Sequence, residues 1–331
     1  MRAWNLSEDR WGIPYPIWSL GSLRRLISAV RRCDIVHIHD CLYMGSMVAF
    51  FAAKLLRKPI VVTQHIGHVP YRNWILRVLH GWSNRILGVL VLGRCEGCVF
   101  YGARVRDYFE RFVNFRQPPA FIPTGVDHSS FQLATAEERN RLRSEIGVPM
   151  SRPLALFVGR FVEKKGLRHI RRLATLFPFC EWVLFGWGPE KPHLWGLPNV
   201  HCLGKATQRE LIPYYQAADL LVLPSVGEGL PLVVQEAMAC GLTAMVSQET
   251  ALALAGLDAV TIPVDIECDD LVKKFRAAIE QPERLRERSV EMATFARRHW
   301  DWNQCADSYF NLYRELIEKG PNRRSGGRLS R

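Results

Sequence analysis

Residues 219–241 read DLLVLPSVGEGLPLVVQEAMACG: an apolar run, a loop with glycines at 227 and 229, then an apolar helical stretch opened by Pro231. Proline suits the first turn of a helix. The free N–H groups near Leu232 and Val233 then point at whatever occupies the helix start, a place suited to phosphate. Two glutamates, Glu228 and Glu236, stand eight positions apart, and Glu236 falls on a face that otherwise reads Val, Ala, Met and Ala. A buried, unpaired carboxylate costs on the order of several kcal/mol. Glu236 therefore either meets a cation or accepts hydrogen bonds from something that is not protein.

Strand, glycine loop and helix are the unit of a parallel sheet covered on both faces, and the chain repeats that unit in both directions. Towards the N-terminus, GSLRRLISAVRR reads as a helix, CDIVHIHD (33–40) as a strand and GSMVAFFAAKLLRK as a helix. PIVVTQHIG (59–67) is a second strand, YRNWILRVLHGWSNRIL a second amphipathic helix, and GVLVLG and GCVFYG further strands. The proline-rich QPPAFIPTGVDHSSF (117–131) interrupts the alternation and reads as an interdomain linker. Beyond it PLALFVGRF, CEWVLFGWGP, NVHCLGK, DLLVLPS, LTAMVS and AVTIPV supply a second set of strands. ARRHWDWNQCADSYFNLYRELIEK closes the chain as one long amphipathic helix. The fold class is α/β, with two Rossmann-like units and a cleft between them where ligands commonly bind. The expected division is 1–128, 129–297, a helix at 298–319 returning to the first domain, and a basic tail at 320–331.

The 331 residues suffice for two full cores, and 48% hydrophobic with 23% charged residues is an ordinary globular composition. The nine cysteines are scattered. Cys95-x-x-Cys98 lacks a second pair to complete a zinc site, so reduced thiols are expected. MRAWNLSEDRWG has no apolar signal segment, and YMGSMVAFFAA and ILGVLVLG fall short of the ~20 residues that span a bilayer. A cytoplasmic protein is expected, with attachment to a membrane surface open. The net charge of +12 is uneven: residues 1–130 carry +9, residues 131–319 carry −1 and the tail +4. The basic first half suits solubility or an anionic surface. YRNWILRVLHGWSNRIL mixes Arg with Trp, Leu and Ile as interfacial helices do. No recognised nucleic-acid motif accompanies the charge, and no nucleic-acid partner is expected.

VGRFVEKKG (158–166) ends a buried strand at Gly159, where glycine lets the backbone turn sharply. Arg160 offers a planar fork for phosphate oxygens and Lys165 a movable point charge. In FGWGPE, Gly186 marks a strand end that a ligand could approach closely, although a tight turn accounts for it equally. Gly204 and Lys205 end the strand in HCLGK.

Taken in order, VGRFVEKKG, LFGWGP, LGK and DLLVLPSVGEGLPLVVQEAMACG resemble the retaining, nucleotide-sugar-dependent glycosyltransferases of the two-domain GT-B type, family 4. Glu228 and Glu236 match that family's E-x7-E spacing, IPTGVDHSSF resembles its linker, PIVVTQH its strand ending in an active-site histidine, and WDWNQCADSYFNLYREL its returning helix. The resemblance implies transfer of a sugar from a UDP- or GDP-sugar to a glycan or lipid-linked acceptor with retention, in polysaccharide or glycolipid synthesis. It implies that Arg160 and Lys165 bind the donor diphosphate and stabilise the leaving group, with help from the amides of Leu232 and Val233. Glu236 would accept from ribose hydroxyls, Glu228 would contact the donor sugar and His65 would sit over that sugar. Gly159, Gly186, Gly204, Lys205 and Gly229 would complete the donor site. His39-Asp40 ends the other front strand and is a weaker candidate for the acceptor side. No D-x-D triplet occurs in the chain, which fits a donor site that needs neither metal nor cofactor.

The chain departs from the family pattern at its start: nothing before CDIVHIHD reads as the usual first strand and glycine-rich loop. Roughly sixty residues look absent by the length of βαβ units: either the true start lies upstream, or the first domain is incomplete and activity impaired. Thr124 stands where the linker has Asn, and Tyr101-Gly102 where a small hydroxyl residue is common. Two other readings remain: a GT-B epimerase or phosphorylase relative, and a catalytically weak nucleotide-sugar-binding subunit of a polysaccharide assembly complex.

Overall fold

The computed structural model of the chain describes residues 3–4, 17–68, 73–228, 230–253 and 256–319; Gly229 and the basic tail lie outside them. The chain divides into two compact units, Met1–Pro123 with Cys305–Arg331, and Thr124–Gln304. The division falls earlier than residue 128, and the chain rejoins the first unit at Cys305 rather than at 298. Each unit has its own parallel sheet with helices between the strands, an α/β architecture twice over.

In the first unit helix α1 (Leu20–Arg32) precedes β1 (Val36–His39), α2 (Met44–Leu55), β2 (Ile60–Gln64), α3 (Trp74–Leu87), β3 (Gly97–Phe100), α4 (Ala103–Glu110) and β4 (Ala120–Phe121). The four strands pair in that order, all parallel. Ahead of them, Ala3–Trp4 and Ile17–Trp18 form a short antiparallel pair. β2 and β3 are buried along their whole length, because helices cover both faces of a parallel sheet. The GVLVLG stretch is a correction to the sequence reading. Gly88–Leu92 is not a strand but a π-helical turn that carries α3 onward, giving 19 continuous helical residues. A short apolar run cannot be assigned by periodicity; here Val91 and Leu92 are swallowed by the core against β2 and β3.

The second unit holds α5 (Ala136–Ile146), β5 (Leu154–Val158), α6 (Leu167–Leu176), β6 (Glu181–Phe185), β7 (Val200–Gly204), α7 (Gln208–Ala217), β8 (Leu220–Leu223), α8 (Leu232–Ala239), β9 (Ala244–Ser247), β10 (Ile262–Val264), α9 (Asp270–Ile279), α10 (Pro282–Glu287) and α11 (Ser289–His299). Its six parallel strands run β10-β9-β8-β5-β6-β7. Numbered from β5, this is the doubly wound order 3-2-1-4-5-6, which reverses between β5 and β8. Ligands of such sheets bind at the carboxyl ends of the strands beside that reversal.

The closing helix is also corrected. It is not continuous: α11 ends at His299, and α12 (Trp302–Lys319) starts anew. The break is held by the linker. The Val126 amide donates to the Trp300 carbonyl at 2.7 Å, and Val126 bridges to Asp301. A Cβ on Gly125 would lie 2.6 Å from the Trp302 Cα, so only glycine lets the two backbones meet. Beyond Cys305, Leu312, Tyr313 and Leu316 pack on Val61 and Val99 of the first unit's sheet.

Candidate active site

The reversal point of the second sheet gathers most of the residues singled out from the sequence. β5 leads into Gly159 and Arg160, a single 3-10 turn presents Lys164 and Lys165, and β8 leads into Gly227 and Glu228. One Glu228 carboxylate oxygen lies 3.1 Å from the Lys165 ammonium and 3.3 Å from that of Lys164. Burial alone would raise the Glu228 pKa, but the two ammonium groups outweigh it and hold the carboxyl below its ordinary range. Burial lowers the Lys165 pKa; Glu228 opposes that, and the charges of Lys164 and Arg160 add to it. The Gly227 amide donates to Glu249 at 2.9 Å, and the Ser247 hydroxyl donates to the Ser225 carbonyl at 2.6 Å, so the end of β9 and the helical turn after it hold this loop.

α8 starts four residues after Glu228, at Leu232. Pro231 occupies the cap position just outside the helix, in extended conformation, and no side chain caps the helix start. The amides of Leu232 and Val233 are the first two of the helix, which have no acceptor within it. Glu236 is 4% exposed. It contradicts the expectation that nothing in the protein meets it: one oxygen accepts from Gln208 Nε2 at 2.7 Å and the other from the Tyr215 hydroxyl at 2.9 Å, both from α7. Burial raises its pKa and those two bonds work against the rise. α7 crosses a boundary that spacing within residues 219–241 cannot see, which is why the partners escaped the sequence reading.

Gly159 and Gly186 act differently from what the sequence suggests, and only Gly186 has to be glycine. Gly159 does not adopt a left-handed turn, and a Cβ there would make ordinary contact with Phe157 and Lys165. At Gly186, with φ of 155°, a Cβ would fall 1.9 Å from the Gly159 carbonyl oxygen. The two loops are thus laced backbone to backbone, with the Phe161 amide donating to the Trp187 carbonyl at 2.7 Å. That lacing places the Trp187 ring between two cations: the Arg160 guanidinium carbon is 4.9 Å and the Lys205 ammonium 4.3 Å from its centroid. Trp187 and Lys164 were missed as candidates. The signals were an aromatic between two glycines and a doubled lysine. Gly204 ends β7 with φ of 77° and open space around it. Arg160, Lys164, Lys165 and the start of α8 together offer a polyanion more positive charge than Glu228 cancels.

His65 belongs to the first unit, at the end of β2. Its amide donates to the Asp40 carboxylate at 2.9 Å, its Nε2 shares a hydrogen bond with His39 Nδ1 at 2.9 Å, and its ring stands edge-on to Tyr101 at 4.5 Å. Asp40 sits at φ of 58°, uncommon for a residue with a side chain. Burial lowers the pKa of His65 and of His39, where His65 adds to the effect, so both rings are neutral near pH 7. His37 bridges Thr63, at 2.7 Å, and Tyr313, at 2.7 Å, tying the end of β1 to α12.

Residues 6–130 match the family described as Glycosyltransferase Family 4, and residues 152–281 match Glycosyl transferases group 1. The sulfoquinovosyl transferase of Arabidopsis thaliana is 31% identical over 238 residues, which is 68% of this chain and 45% of that protein. The alpha-monoglucosyldiacylglycerol synthase of Acholeplasma laidlawii is 23% identical over 318 residues, 90% of this chain and 79% of that protein. Among solved structures, Anabaena Alr3699/HepE in complex with UDP-glucose superposes with a TM-score of 0.72 at 16% identity, covering 90% of this chain and 84% of that one. With each of its two parallel sheets falling within a matched segment, the chain belongs to the GT-B glycosyltransferases of family 4.

Proposed function

We propose that the chain transfers a sugar from a nucleoside-diphosphate sugar, UDP- or GDP-linked, to a lipid-linked or glycan acceptor with retention of anomeric configuration, at the cytoplasmic face of a membrane. The observation that carries this reading is the cluster at the reversal of the second sheet, where Lys164 and Lys165 meet Glu228 in the loop that leads to the uncapped start of α8, a combination suited to a diphosphate. The UDP-glucose bound by the Anabaena protein supports the donor class, and the diacylglycerol in the name of the Acholeplasma relative supports a lipid acceptor.

In this reading the diphosphate takes the place of Glu228 as partner of Lys165 and leaves that carboxylate to meet the sugar. Glu236 is already held by Gln208 and Tyr215, and its oxygens keep lone pairs for ribose hydroxyls. The bond from the anomeric carbon to phosphate breaks while the acceptor oxygen bonds to the same face, and the departing phosphate oxygen takes the acceptor's proton. Arg160 and Lys165 stabilise the charge that grows on that leaving group, so the site supplies its own cations. His65 is neutral and donates or accepts at sugar hydroxyls.

Calorimetric titration with UDP and GDP tests the site. One nucleotide binds, and Arg160→Ala and Glu236→Ala each weaken it about tenfold or more. Unchanged affinity in both variants overturns the assignment, and a product of inverted anomeric configuration by NMR overturns retention.

A further inference from the structure

Helix α3 has two apolar faces, and the fold uses one. Asn84 is fully buried and donates to the Gly67 carbonyl at 3.1 Å, while Leu87 packs into the first unit's core beside Val91 and Leu92. On the other side Trp74 is 66% exposed, Trp82 62%, Leu79 58% and Ile86 58%. At about 100° per residue, Trp74, Ile75, Val78, Leu79, Trp82 and Ile86 fall within one sector of about 140°. Solvent-facing helices of globular proteins present polar residues there, and an apolar patch of this kind marks an interaction surface.

Charge says what covers it. Residues 41–95 contain seven Lys or Arg and no Asp or Glu, and α3 itself carries Arg77 and Arg85, both exposed. Two tryptophans with bulky aliphatics between them and arginines beside them are what the headgroup boundary of an anionic membrane accepts. A second copy of this chain fits less well, because a symmetric contact would set these arginines against each other without an acid on the segment to meet them. The 19 residues Trp74–Leu92 are long and apolar enough to cross a bilayer by length and composition. Spanning would pull Asn84, Val91 and Leu92 out of the core.

We infer that α3 is a docking element that lays its exposed apolar face into the surface of an anionic phospholipid bilayer. This goes beyond the reading of the donor site and does not depend on it. The test is co-sedimentation of the full chain with vesicles of phosphatidylcholine alone and with one third phosphatidylglycerol, counted as about a third of the lipid. Binding to the anionic vesicles is expected to be about tenfold tighter. The pair Trp74→Ser with Trp82→Ser should abolish it, and Arg77→Glu with Arg85→Glu should remove the preference for anionic lipid. All four side chains are exposed, so melting temperature and nucleotide titration should match the unaltered protein. Equal binding to both vesicle types, or binding that survives the tryptophan changes, overturns the proposal. So does concentration-dependent self-association lost with those same changes, which would give the face to a second copy.

Discussion

A single buried carboxylate shows how far one residue can be read alone. The apolar neighbours of Glu236 announce that it must be satisfied, and the periodicity of one helix cannot name the partners, Gln208 and Tyr215, which come from the preceding helix. Trp187 is the converse case. Its glycine neighbours are conspicuous in sequence, whereas its place between Arg160 and Lys205 exists only once the loops after β5, β6 and β7 are laced together. Cation–π contacts at partly exposed sites contribute about 0.5–1 kcal/mol each. Trp187→Ala should therefore weaken nucleotide binding by a few fold through a less well-held Arg160, while Trp187→Phe keeps most of the affinity. Equal affinities in the three proteins by calorimetry would remove the ring from the site.

Between elements, Asp219, at the head of β8, is a polar junction of the second unit. It is 4% exposed, accepts from the Leu154 amide at 2.8 Å and pairs with Arg139, Arg143 and Arg286, so it joins β5, α5 and α10. Arg143 is fully buried and also donates to the Ala217 and Pro149 carbonyls. Removing one partner of a buried ionic network leaves charge uncompensated, at about 3–5 kcal/mol. Asp219→Ala should accordingly lower the melting temperature of this unit steeply, and a melt within a degree or two (about 0.5 kcal/mol) would refute that. None of this is visible in a list of strands: DLLVLPS announces the strand, but its partners lie 80, 76 and 67 positions away. The same limit explains the two misread elements. GVLVLG is apolar in either conformation, and the break at Trp300 is imposed by a linker more than 170 residues earlier, since Val126 bonds to it.

For the molecule as a whole, one source of acid response is the histidine cluster of β1 and the end of β2. His37 is held down to about 4, first by burial and then by its neighbours His39 and His65, whose own pKa values are also lowered. As pH falls from about 6.5 towards 4, the unfolded chain takes up protons at these three rings before the folded one, and stability is lost. Asp40, raised to about 6 chiefly by burial, works the other way across part of that window. Within this cluster at β1 and β2 the three rings outweigh Asp40 and give a net loss, and His37→Gln should flatten the fall in melting temperature by about one proton. A pH profile unchanged by that substitution would show that His37 does not carry the effect. Across the chain, the alternation of apolar runs with amphipathic stretches determined two α/β units, and glycines, cations and paired glutamates at strand ends determined where a ligand site should lie. These are local signals, carried by neighbours along the chain. Which groups satisfy Glu236, what Arg160 rests on, where the last helix breaks and which face of α3 is left open were decided by the tertiary structure. Each depends on atoms brought together from distant segments, and a buried polar group takes whatever partner packing provides.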